Sequence, residues 1–133
     1  MPVPGLTTIK SHRGARETMN SLETAVRARG MTVFARIDHA AGASAVGMTL
    51  NAAEVLIFGN ARGGTPLMQS VATIGIDLPL KALVWQDASG ETWLSYNDPN
   101  WLAKRHGLGH EADAPVKAMS ATLDTIAKAA TAP

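Results

Sequence analysis

The chain has 133 residues, enough for one domain with a real core and too few for two ordinary ones. Apolar residues make up 46% and charged residues 17%, a balance that excludes a disordered chain, and 12 Lys and Arg against 11 Asp and Glu leave a net charge of +1, too little for gripping a phosphate backbone. Cysteine is absent, which removes disulfides, thiolate catalysis and cysteine-rich zinc sites together and suits a reducing compartment. The opening MPVPGLTTIK lacks the basic segment and apolar run of a secretory signal, and no stretch reaches membrane-spanning length, so a cytoplasmic protein without nucleic-acid or membrane partners is expected.

Leu6 to Lys10 is a short β-prone run. Arg13 to Arg29 reads as a helix, with Ala15, Met19, Leu22, Ala25 and Val26 on one side and Arg16, Asn20, Glu23 and Arg27 on the other, and Gly30 where a left-handed cap is wanted. MTVFARIDHA alternates as a strand does, with Val33, Ala35 and Ile37 on one face and Phe34 and Arg36 on the other. AAGASAVGMTL is alanine-rich but broken by Gly42 and Gly47, which leaves room for a short helix, and AEVLIFG reads as a buried strand. KALVWQDASGETWLSYND is a hairpin around the turn-type tetrad Asp87-Ala88-Ser89-Gly90. Asp98-Pro99 starts a helix that Gly107 stops, and a last helix begins near Ala114-Pro115, with Val116, Met119, Leu123, Ile126 and Ala130 in one narrow stripe. Together these elements predict an α/β fold, a two-layer α+β sandwich in which helices pack on a mixed sheet of about five strands.

Between the third strand and the hairpin, LIFGNARGGTPLMQS passes from a strand through a glycine-rich loop into a helix. That arrangement presents backbone N–H groups and a positive helix end to an anion. The phosphate-loop pattern fails because Thr65-Pro66 stands where Lys and Ser or Thr are needed, and the dinucleotide pattern lacks its third glycine. Cap and turn chemistry explains the same residues: Thr65 suits an N-cap and Pro66 the first helical position.

FGNARGGTPLMQ, GIDLPLKALVW and YNDPNWLAKRHGL occur in this order, and together they resemble the domain of unknown function 302 family, a bacterial group of small α/β proteins, over roughly Leu6 to Leu108. The resemblance implies an α/β homodimer and no established activity. Its motif residues match Gly59, Asn60, Gly64, Thr65, Leu67 and Met68, then Asp77, Leu78, Pro79 and Lys81, then Tyr96, Asp98 and Pro99. The chain departs from the family at Ala61 and near Ala72, where proline is commoner.

Asn60, Gly64, Thr65, Asp77, Lys81, Tyr96, Asp98 and His106 lie at strand ends and helix starts, where ligand-binding residues of α/β folds collect. If their loops share one edge, they line a pocket for a small polar or anionic molecule. Duller roles are open to each: Asp98 as a helix cap, Asp77 as a turn cap or a partner of Lys81, Tyr96 as a core residue. An enzyme reading takes Asp77 or His106 as a base and Lys81 or the loop N–H groups as a stabiliser of negative charge, and an interaction module without catalysis is the third. RHGLGHEAD offers zinc-ligand types at His106 and His110, but Gly107 and Gly109 interrupt the helix that would align them, so no metal or other cofactor is assigned.

Overall fold

The computed structural model describes residues 2–133. Five strands run β1 (Leu6–Lys10), β2 (Thr32–Asp38), β3 (Ala53–Gly59), β4 (Leu80–Gln86) and β5 (Thr92–Asn97). Five helices intervene or follow: α1 (Ala15–Ala28), α2 (His39–Ala45), α3 (Ala61–Ser70), α4 (Pro99–His106) and α5 (Asp113–Thr131), with 3-10 turns at Ala72–Asp77 and His110–Ala112.

The sheet order is β1-β5-β4-β3-β2, and every neighbouring pair is antiparallel. Five strands with helices packed on them are as expected, but the sheet is not mixed. A parallel pair needs a helix crossing the sheet between adjacent strands. Here α1 joins strands at opposite edges, while α3 and its 3-10 turn pack beside α5 instead of crossing between β3 and β4.

Alternation assigns the two faces of the sheet. Leu56, Phe58, Leu80, Ala82, Val84, Leu94 and Tyr96 turn towards the helices and meet Met19, Leu22 and Val26 of α1 and Leu123, Ile126 and Ala130 of α5. The stripe of α5 is thus used within its own chain. A second cluster of Leu67, Ile74, Leu102, Ala112 and Val116 fastens α3 and α4 to α5. The other face of the sheet carries Ile37, Val55, Ile57, Leu83, Trp85 and Trp93, none of them buried. Trp85 and Trp93 stack there with ring centroids 6.3 Å apart, and each indole N–H is satisfied internally, by Ser95 and Asp87.

The local signals are mostly realised as expected. Gly30 and Gly107 stop α1 and α4 with φ of 75° and 67°, and Asp98 caps α4 by accepting from the Asn100 amide. Asp87 accepts from the N–H groups of Ser89 and Glu91 and so folds the hairpin tip. The glycine-rich stretch differs. It is not a loop ended by Thr65-Pro66, because α3 already starts behind Asn60, whose Oδ1 accepts from the Gly63 N–H at 2.7 Å. Gly63, Gly64 and Pro66 therefore sit inside the helix, with Leu67 as its buried anchor. An Asn cap and an apolar anchor outweigh the poor helix propensity of two glycines and a proline.

Candidate functional site

The eight expected ligand residues fall into four places. Asn60, Gly64 and Thr65 line a groove of about 800 Å³ walled by the first turns of α3, the end of α1, the start of β2 and one side of α5. Its volume lies within the range of small-molecule sites, about 300–1,000 Å³. Gly63 and Gly64 are half-buried against it, and a Cβ on Gly64 would stand 3.4 Å from the Leu78 side chain. Absence of side chains there keeps the groove open. Its other lining is largely apolar, from Met31, Phe34, Met68, Leu78 and Met119, with Arg29 and Arg62 as its only charged residues.

Asp77 and His106 form a second cluster. Asp77 Oδ2 lies 2.6 Å from His106 Nε2, and Arg105 Nη1 donates to both carboxylate oxygens at 3.0 and 2.8 Å. The other imidazole nitrogen, Nδ1, is 2.9 Å from Thr73 Oγ1. A neutral imidazole that donates from Nε2 to the Asp77 carboxylate accepts at Nδ1 from the Thr73 hydroxyl. The His106 side chain is 8% exposed and that of Asp77 15%, while Arg105 and Thr73 are exposed, so the network joins the end of α4 to the 3-10 turn with only its centre sheltered from water. Lys81 is not its partner.

Lys81 lies on the open face of the sheet, opposite Ile57, and its Nζ donates to the Pro79 carbonyl. Strand alternation explains this: Leu80 and Ala82 face the core, so Lys81 must face away. Tyr96 and Asp98 border a fourth place, a polar hollow of about 390 Å³ beside Lys117 and Asp124 of α5. Burial, with the Asp124 carboxylate second, pushes the Tyr96 phenol above its ordinary range, so it stays protonated at neutral pH. Asp98 is occupied as a helix cap. His110 turns to Asp113 and not to His106, and no cluster of three metal-ligating His, Cys, Asp or Glu side chains occurs among the described residues.

Sequence reasoning missed Arg29, Arg62, Met31, Phe34 and Met119 as groove residues, and Thr73 and Arg105 as members of the Asp77 network. Their convergence depends on tertiary packing. The one local signal was Arg62 beside the glycines.

Fold and groove define an α+β domain with a helix layer on an antiparallel sheet and a ligand-sized groove at the edge of that layer. The chain belongs to the family described as domain of unknown function DUF302, whose model matches residues 7–126. It is similar, with a TM-score of 0.75 at 19% identity and 97% coverage of both chains, to the crystal structure of an uncharacterized conserved DUF302 protein from Bacillus stearothermophilus, a likeness of fold. It is 47% identical over 124 residues to Fluoride-specific ion channel FluC 1 of Brucella suis biovar 1 (strain 1330), covering 93% of this chain and 49% of that protein. The figures for Fluoride-specific ion channel FluC 2 of Brucella melitensis biotype 1 are 47%, 93% and 46%. The chain thus spans about half the length of the curated relatives it matches. No helix among the described residues is long and apolar enough to cross a membrane.

Proposed function

We propose that this domain binds a small organic molecule in the groove beside α3 and that it works as a homodimer. The observation that supports binding is the groove itself, about 800 Å³ of largely apolar wall with two cationic side chains. That space far exceeds what a monatomic anion needs, so the fluoride named for the relatives is not the ligand assigned to this domain. A chain free of cysteine suits the cytoplasm, where we place it.

Native mass spectrometry of the untagged protein tests the binding reading. A reproducible adduct of organic mass is expected, and Ala118→Trp, which puts a large ring at the groove wall, is expected to remove it while circular dichroism stays unchanged. An adduct that survives this substitution would move the ligand elsewhere.

A second reading has one observation of its own: Thr73, His106 and Asp77 are hydrogen-bonded in series, as a hydroxyl, a base and the base's orienting carboxylate must be. The paired hydrogen bonds from Arg105 to Asp77 favour a structural role, and Thr73 lines neither the groove nor the polar hollow. Under the enzymatic reading, Thr73→Val removes turnover and leaves thermal stability within about 1 kcal/mol of the parent. Loss of stability without any hydrolysis of activated esters by the parent would retire it.

A further inference from the structure

Resting on the reading of the groove as a binding site, we propose that its ligand is an amphipathic carboxylate: a flexible acyl chain lying along the apolar wall, with its carboxylate held by Arg29 and Arg62.

Charge comes first. Arg29 follows the last turn of α1 and Arg62 stands in the first turn of α3, and both line the groove. Both are exposed, and neither has an ion-pair or side-chain hydrogen-bond partner among the described residues; Arg16, Lys104 and Lys117 share that lack but lie outside the groove. No Asp, Glu, His or Lys lines the groove. Two arginines lining one groove that holds no acidic side chain favour a ligand with negative charge, and the planar guanidinium fork fits a carboxylate. The dipole of α3 has the same sign at this end.

The wall then decides what the charge is attached to. Met31, Phe34, Met68, Leu78 and Met119 offer no strong donor or acceptor. A sugar or nucleotide laid against them would lose the hydration of its hydroxyls without replacement. An acyl chain loses nothing there. Three methionines among five side chains add a wall of unbranched, polarisable thioethers, which mould to a chain of variable shape better than branched residues do.

The test is a titration of the full chain, carrying ¹³C-methyl methionine, with decanoate, decan-1-ol and acetate, each below its aggregation concentration. Decanoate is expected to shift the methyl signals of Met31, Met68 and Met119 saturably, acetate to leave them unmoved, and decan-1-ol to bind about tenfold or more weakly, the equivalent of one lost charge-assisted contact. Arg29→Gln combined with Arg62→Gln should lower decanoate to the affinity of the alcohol. Equal binding of decanoate and decan-1-ol overturns the carboxylate assignment and leaves the groove as a site. No shift with either ligand overturns both. Because the two ligands are compared on the parent protein, the outcome does not depend on the variants folding.

Discussion

At the scale of single residues, Asp87 and Asn60 show how short-range chemistry sets local structure. Asp87 accepts from the Trp93 indole and from two backbone amides, and these bonds, the indole first, hold its carboxyl below the ordinary carboxylate range. A carboxyl lowered in the folded state stabilises fully above its unfolded pKa, and that stability is lost as the pH falls through the lowered value. Asp87→Asn keeps an acceptor and removes the charge. Its urea midpoint should fall below that of the parent at neutral pH, and the gap should narrow in acid; a constant gap would mean that the charge contributes nothing. The turn and cap roles were legible from sequence, because the backbone bonds of Asp87 and Asp98 and the turns at Gly30 and Gly107 lie within four residues; the Trp93 indole, six residues from Asp87, was not. Gly5 was not. Its φ is 75°, and the Trp101 ring lies so close that a Cβ would overlap it, an approach between residues far apart in the chain that no local pattern announces.

At the scale of elements, α3 shows a local signal overruled by packing. Thr65-Pro66 carries every mark of a helix start, yet Asn60 caps the helix five residues earlier because the buried Leu67 and the packing on α5 favour a longer helix. With two glycines and a proline the element depends heavily on that cap. Asn60→Ala should destabilise the protein by about 1 kcal/mol, measured as a shift in the urea midpoint, whereas Lys81→Ala on the open sheet face should change it by no more than about 0.5 kcal/mol. Equal effects would show that the cap is not what holds α3. The Asp77 network is the complementary case. Asp77 and His106, two of the residues singled out in sequence, meet in a hydrogen bond, but Arg105 and Thr73 carried no motif and became visible only once α4 lay against the 3-10 turn.

At the scale of the whole molecule, strand positions, most helix positions and the stripe of α5 were readable from periodicity, while strand order and what the stripe packs against were not, since neither a strand's alternation nor a helix's stripe names its neighbour. The eight site residues scattered for the same reason: strand-end residues converge only when their strands and faces coincide. The sheet's open face bears on the homodimer. Trp85, Trp93, Leu83, Val55, Ile57 and Ile37 cluster on that face with their indole N–H groups already satisfied, bordered by Lys81 opposite Ile57 and Lys10 opposite Trp93, so a second copy would meet ring faces and aliphatic groups with a lysine at two borders. Sedimentation should give a dimer for the parent and a monomer for Trp85→Glu; a parent that stays monomeric at micromolar concentration would remove the homodimer from the proposal. The edge position of β1 has a consequence in time. Thr8 bonds to Ser95, 87 residues further on, whereas β2, β3 and β4 each pair with the next strand in the chain. During synthesis the first strand of this sheet to leave the ribosome must wait for the last before it finds its place, so β2 to β5 can nucleate while β1 still searches. Substitutions in β1 should then speed unfolding and leave the folding rate nearly unchanged, which makes this edge the seam where the molecule opens first.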